Sequence, residues 1–294
     1  MRIAVLGSAT SWYVGDLRRA AGDRHEIVPV TYRQLYAQVS QGAVSLSSGE
    51  VELRTCDALL VRSMPPGSLE QVIFRMNALA DLDAAGVLVV NSPRAIEVAV
   101  DKYLATTRLR AAGFLVPRTI VCQTTEQALE AFESLGRDVV VKPIFGGEGR
   151  GITRITDEAI ALRTFKALEQ IGAVLYLQEF IEHEGCDQRL LVVGQEVYGI
   201  ERRHPTDWRT NVSRGATAEP LEVTDQLAEL AHRAAQTVGA CVAGVDFLPG
   251  KDGELYAIEV NAVPGWKALS RVTEQDIADR VIRHLQAAWL HADL

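Results

Sequence analysis

Two carboxylates and a carboxamide near the C-terminus have the spacing of a cation site: Asp246 in Val245-Asp246-Phe247, and Glu259 with Asn261 in Ile258-Glu259-Val260-Asn261. Alternate side chains of a strand share a face, so Glu259 and Asn261 point one way while Ile258 and Val260 point the other. The turn residues Pro249-Gly250-Lys251-Asp252-Gly253 place Asp246 on the preceding strand of a hairpin. Oxygen ligands backed by apolar packing suit a hard divalent cation such as Mg²⁺, which commonly takes one or two carboxylates together with substrate phosphates. An ordinary solvated hairpin carries the same residue types. Phosphate-binding parts elsewhere in the chain would separate the two readings.

Such parts are present. Lys142 ends the apolar strand Asp138-Val139-Val140-Val141, and Gly146, Gly147, Gly149 and Gly151 follow closely. Glycines let backbone amides approach an anion, so the segment predicts a mobile flap over phosphates. A glycine-rich turn joining strands 139–142 and 152–155 is the plainer reading, and one loop can be both. The GxxxxGK[ST] spacing of a P-loop is missing.

The elements that must position these groups follow from periodicity. Ile3 to Leu6, Glu26 to Val30, Ala58 to Val61 and Val87 to Val90 read as strands, and Asp16 to Ala21 and Ser68 to Ala85 as helices, giving an α/β unit with a largely parallel sheet. The segment Gly7-Ser8-Ala9-Thr10-Ser11 lacks GxGxxG spacing, which disfavours a nicotinamide enzyme. Asn91-Ser92-Pro93 punctuates the unit, and Pro93 opens a helix expected to run to Ala112. A strand with Ile120-Val121-Cys122, a helix from Thr125 to Gly136, and strands over Leu175 to Ile181 and from Cys186 complete the pattern. Three units are expected, over 1–92, 93–180 and 181–294.

Composition narrows the partners. The 294 residues carry a formal charge of −8, with 48% hydrophobic and 23% charged residues, which fits a globular protein and disfavours nucleic acid or an anionic membrane. Cys56, Cys122, Cys186 and Cys241 form no CxxC pair, so reduced thiols in a cytoplasmic protein are expected. No GxSxG elbow or placed Cys-His pair points to a protein nucleophile.

Taken in order, Lys142, the glycine flap, Gln178-Glu179-Phe180-Ile181, Cys186-Asp187-Gln188-Arg189, Arg202-Arg203, Arg209-Thr210-Asn211 and Glu259-Val260-Asn261-Ala262-Val263-Pro264-Gly265 resemble the ATP-grasp superfamily, and within it the RimK-type carboxylate-amine (α-L-glutamate) ligases. The motifs run from about Asp101 to Gly265. The resemblance implies an ATP-grasp fold: an N-terminal parallel-sheet α/β domain on the acceptor side, then two α+β ATP-binding subdomains. It implies that Lys102 and Lys142 contact phosphates, that Gly146, Gly147, Gly149 and Gly151 close on the triphosphate, and that Glu179 and Phe180 hold adenine. Asp187 is expected at the sugar, with Arg209, Thr210 and Asn211 near the nucleotide; Thr210 departs from the family's serine but keeps a hydroxyl. Asp246, Glu259 and Asn261 match the metal trio, for two ions of Mg²⁺ or Mn²⁺.

The implied reaction converts a carboxylate to an acyl phosphate with ATP, after which an amine attacks. Among Arg189, Arg202, Arg203, Arg209 and Arg214, planar guanidinium forks suit carboxylates or an acyl phosphate, and Arg189, Arg203 and Arg209 are the expected catalytic members. Surface salt bridging is the competing use. His204 reads as a local hydrogen-bonding residue. For the acceptor, Ser11-Trp12-Tyr13 and Arg62-Ser63-Met64-Pro65-Pro66-Gly67 lie at strand carboxyl ends, the usual ligand edge of an open sheet, and Trp266-Lys267 follows the metal motif. Trp12 and Tyr13 can stack on a ring and Arg62 can hold an acid. Glutamate is the expected amino acid, with a pterin- or furan-type cofactor or a peptide as acceptor, no nucleic acid or membrane partner, and a homo-oligomer as the expected assembly. An amino-acid-carrier-protein ligase of lysine or arginine biosynthesis and a non-catalytic ATP-binding scaffold are the alternatives.

Overall fold

The computed structural model describes residues 1–147, 149–212 and 215–292. The chain opens with β1 (Arg2–Leu6), α1 (Trp12–Ala21) and β2 (Glu26–Val30), passes through β3 (Leu35–Ser40), β4 (Ala43–Ser48) and β5 (Val51–Glu52), and returns as β6 (Ala58–Val61), α2 (Leu69–Ala84) and β7 (Leu88–Val90). Strands β2-β1-β6-β7 form a parallel sheet in that order. Every residue of β6 is buried, the pattern of a parallel strand covered on both faces. Both helices start where side chains replace missing backbone partners: the Ser11 hydroxyl accepts from the Val14 amide at 3.2 Å, and Ser68 and Gln71 form a reciprocal capping box. The antiparallel sheet β3-β4-β5 was not expected from the sequence.

The helix expected from Pro93 to Ala112 is two helices, α3 (Pro93–Val100) and α4 (Lys102–Ala111). Asp101 between them is extended, at φ −86° and ψ 102°, and its carboxylate accepts from the Leu104 amide at 3.0 Å, so it ends one helix and caps the next. The following unit is β8 (Thr119–Cys122), α5 (Thr125–Ser134), β9 (Val139–Lys142), β10 (Thr153–Ile155), α6 (Glu158–Gln170) and β11 (Leu175–Glu179), with antiparallel order β10-β9-β11-β8. Strands β9 and β10 are the two arms flanking the glycine segment.

The last unit holds β12 (Cys186–Val193), β13 (Glu196–Arg203), β14 (Thr217–Leu221), α7 (Asp225–Val238), β15 (Val242–Pro249), β16 (Leu255–Asn261), α8 (Lys267–Thr273) and α9 (Ile277–Ala292), and its antiparallel sheet runs β14-β13-β12-β15-β16. Two core clusters combine residues of the first sheet with residues of this one, such as Leu59 with Val245 and Ile3 with Leu191. A third, containing Phe132, Val141, Phe165 and Leu177, lies wholly within the β8–β11 unit. Asn91, 2% exposed, joins the outer units. Its Nδ2 donates to the carbonyls of Val242 at 2.7 Å and Ala262 at 2.6 Å, and its Oδ1 accepts from the Cys241 and Val242 amides at 2.8 and 3.0 Å. The four cysteines are free. No helix among the described residues is long and apolar enough to cross a membrane.

Candidate active site

Strand register brings the three oxygen-bearing residues together. Asp246 pairs opposite Glu259 and Gly244 opposite Asn261, so Asp246, Glu259 and Asn261 lie on one face of the β15–β16 hairpin, with a register shift just after Asp246. The Glu259 carboxylate makes no hydrogen bond or ion pair among the described residues, whereas Asn261 Oδ1 accepts from the Val263 amide at 2.8 Å. Two carboxylates and a carboxamide are a hard donor set of the kind that holds Mg²⁺ with help from phosphates, and they fit it better than a soft metal. No group of three His, Cys, Asp or Glu side chains converges among the described residues, so phosphates would have to complete the coordination.

A cleft opens beside Glu259, between the β8–β11 sheet and the last sheet. At its polar end Lys142, on the last residue of β9, reaches Gln178 Oε1, and Lys102, on the first residue of α4, donates to the Gly146 carbonyl at 2.6 Å. Burial lowers the Lys142 pKa to about 8, with Glu259 opposing the shift and Lys102 adding to it. Burial lowers Lys102 as well, again against the pull of Glu259. Two poorly solvated ammonium groups beside an unpaired carboxylate are poised for an anion that supplies the missing charge. The other end of the cleft is apolar and aromatic, lined by Tyr176, Phe180, Trp208, Leu248 and Ile258. Phe180 meets Trp208 edge-on, with ring centroids 5.7 Å apart. Such a slot accepts a planar ring.

Buried ion pairs form the floor. Arg202 grips Asp187 through Nε at 2.7 Å and Nη2 at 2.5 Å, and lies 3.1 Å from Asp246 Oδ2. Thr210 donates to Asp187 at 2.6 Å, while Arg189 donates to both Asp246 oxygens at 2.8 and 3.0 Å. Burial alone would raise the Asp246 pKa, but Arg189 and Arg202 outweigh it and hold the carboxyl below its ordinary value. For Asp187 burial prevails over Arg202 and pushes the pKa up. Beyond this floor lies a second, larger cavity, which reaches Tyr13 and Arg62 of the first unit. Arg202, Asn211, Asp246 and Glu259 line both cavities.

The structure sorts the expected residues by position. Lys102, Lys142, Gly149, Glu179, Phe180, Asp187, Arg209 and Thr210 line the first cavity; Gly147, Arg189 and Asn261 line the second. Gly146 enters through its carbonyl bond to Lys102, while Gly151, at φ +73°, packs where a Cβ would come 2.8 Å from Pro143. Arg209 is bound by the carboxylate of Asp207, which it holds at a pKa of about 2, and its Nη1 reaches the Ile152 carbonyl at 3.4 Å. Glu179 accepts from the Arg118 amide at 2.6 Å. Arg203 requires correction: it is exposed, pairs with Glu201 at 2.8 Å and lines neither cavity. Register explains the exchange, because Asp187 pairs opposite Arg202 and the next side chain along β13 faces away. Arg214 and Glu148 of the flap lie outside the described residues. Sequence reasoning missed Gly244, where a Cβ would come 2.4 Å from Arg189 Nη2; the glycine leaves room for the guanidinium to cross β15 to Asp246. A Gly two residues before a strand carboxylate was the available signal.

The RimK-like ATP-grasp domain family matches residues 99–285. The chain is similar to the tetrahydromethanopterin:α-L-glutamate ligase of Methanosarcina acetivorans, 34% identical over 280 residues and covering 85% of this chain and 86% of the relative. It is similar to the ribosomal protein bS6–L-glutamate ligase of Escherichia coli, 32% identical over 292 residues and covering 97% and 96%. Among solved structures, the ATP-grasp ligase PsnB complexed with a minimal precursor, Mg and ADP superposes with a TM-score of 0.75 at 21% identity, covering 98% of this chain and 97% of that one. The fold is that of ATP-grasp ligases.

Proposed function

The chain belongs to the RimK-like ATP-grasp family, and from that premise we propose that it is an ATP- and Mg²⁺-dependent carboxylate-amine ligase that adds L-glutamate to a pterin- or furan-type one-carbon cofactor or to a peptide. The observation that carries this reading is the junction at Glu259, where two lysines, an aromatic slot and a second, arginine-lined cavity meet. In the proposed complex the adenine lies in the apolar end of the cleft beside Phe180, Trp208 and Glu179, the sugar lies toward Asp187 with Arg209, Thr210 and Asn211 close by, and the triphosphate points at Lys102, Lys142 and the glycine segment. Asp246, Glu259 and Asn261 would hold two ions, Mg²⁺ or Mn²⁺, which supply charge to offset the phosphoryl group in flight.

A carboxylate is a poor electrophile, so the substrate acid attacks the γ-phosphate, the bond to the β,γ-bridging oxygen breaks and ADP leaves an acyl phosphate; the neutral amine then attacks the acyl carbon, inorganic phosphate leaves, and the amine's proton goes to that phosphate or to water. Lys142 and Lys102 stabilise charge on the transferring oxygens by position alone, a role that calls for no protein nucleophile. Arg189 and Arg202 keep Asp246 ionised and stand at the wall both substrates must share. The three-part division at 92 and 180 belongs to the same proposal, supported by the sheets, none of which pairs strands across either boundary. A cytoplasmic location fits the reduced thiols and the lack of a membrane-crossing helix among the described residues.

The test is incubation with ATP, Mg²⁺, L-glutamate and either a pterin carrying a terminal carboxylate or a peptide ending in glutamate. ADP release that requires both substrates, with a mass gain of one glutamyl unit on the acceptor, is expected. Nucleotide binding without ADP release across both acceptor classes would return the protein to a scaffold role.

A further inference from the structure

We propose that Arg62 reads a second carboxylate on the substrate, making the larger cavity a dicarboxylate site; the inference rests on the ligase reading above and names the chemistry its second cavity selects. Arg62 follows β6, its backbone amide bonded to the Leu6 carbonyl at 3.0 Å. The guanidinium carbon lies 4.6 Å from the centroid of the Tyr13 ring and 4.2 Å from that of Trp266, in the corner made by two rings 5.0 Å apart at 77°. That corner is rigid. Trp266 is fully buried and its indole N–H donates to Asp16 at 3.0 Å, while Asp16 is itself bound by Arg19. The Tyr13 hydroxyl sits against Gly265, where a Cβ would come within 2.6 Å of it.

A guanidinium fixed in this way has lost most of its rotamer freedom, yet it has no protein anion. Its nitrogens make no hydrogen bond or ion pair among the described residues, and Nε is buried without a partner. A buried unpaired donor costs free energy, and a planar fork already held on aromatic faces loses little further entropy when a carboxylate arrives. Its surroundings add to the demand for an anion, because Lys267 and Arg271 line the same cavity with no ion pair among the described residues. Glu259 and Asn261 line that cavity too, so one substrate can present its reacting carboxyl to them and a second carboxylate to Arg62. Two sources share this chemistry: the side chain of the incoming glutamate, and the terminal dicarboxylate of an acceptor.

Calorimetric titration of the full chain saturated with AMPPNP and Mg²⁺ separates them. One arm compares L-glutamate with L-glutamine; the other compares N-acetyl-Glu-Glu with its amide N-acetyl-Glu-Gln. Arg62→Met, which keeps an apolar stem against the rings, is expected to lose at least about tenfold in dicarboxylate affinity in one arm and to bind the matching amide as the wild type does, with AMPPNP affinity unchanged. The arm that loses identifies the source. A dicarboxylate preference that survives Arg62→Met in both arms, with normal nucleotide binding, overturns the proposal. Should Arg62→Met fail to bind nucleotide, Arg62→Gln is read by the same criteria. A wild-type chain that binds no AMPPNP would instead sink the ligase reading, so the two failures remain distinct.

Discussion

Lys142 is the residue whose chemistry is most exposed to pH. Its pKa of about 8 lies below its ordinary 10.5 because burial penalises the ammonium more than Glu259 supports it. The folded chain therefore gives up this proton before the unfolded chain does, and between about 8 and 10.5 the unfolded state binds more protons, so this lysine's contribution to stability rises with pH across that window. Phosphate binding has the opposite sign, since it requires the cation. Affinity for ATP, titrated at constant ionic strength, should fall above pH 8 by about tenfold per unit. Glu259→Gln removes the charge that supports the ammonium and should move the onset of that fall to lower pH. An affinity flat from pH 7 to 9.5 would refute the assignment. At this scale the sequence supplied residue types but not facing: Lys142, Asp246 and Glu259 could be named from composition and period, whereas choosing between Arg202 and Arg203 needed the β12–β13 register. A side chain and its neighbour look alike in sequence and face opposite sides of a sheet.

Among the elements, the end of β7 carries a connection that no strand pairing provides. Asn91 satisfies two backbone carbonyls and two amides of the β15–β16 region with one carboxamide, all in a dry setting. Asn91→Ala strands those groups, and at about 1–3 kcal/mol for each buried unsatisfied group the loss should reach at least about 3 kcal/mol. Urea unfolding would measure it, and a loss below about 1 kcal/mol would show that water or rearranged backbone replaces the carboxamide. Most elements were legible because their period was clear; β2 and β6 match their expected bounds. Asn91 was read only as punctuation, since nothing local marks a residue whose partners lie about 150 positions away. The break at Asp101 was hidden for a different reason: both flanking segments are good helix formers, and a cap between them resembles one polar residue on a continuous helix. The β3–β5 sheet did leave a trace in the Val44/Leu46 alternation and in Gly42 at φ +85°, but little of it is buried and its apolar signal is thin.

For the whole molecule, the arrangement of cores divides what is rigid from what can move. The first and last sheets share two clusters, while the β8–β11 unit packs on its own. A unit with a private core can open without exposing the others. Native-state hydrogen exchange should therefore find the protected amides of 119–179 opening at a lower free energy than those of β1, β6, β12 and β15, with AMPPNP and Mg²⁺ slowing exchange most in β9 and β10. One common opening free energy for all three sheets would contradict it. The general ATP-grasp architecture was accessible from motif order, but this partition was not, because it depends on which distant apolar faces meet. The bond from Lys102 to the Gly146 carbonyl gives that mobility a coupling. With three donors and only one spent on the flap's own carbonyl, the Lys102 ammonium can hold a phosphate and the flap together, so the same cation that recognises the ligand also ties the flap to it.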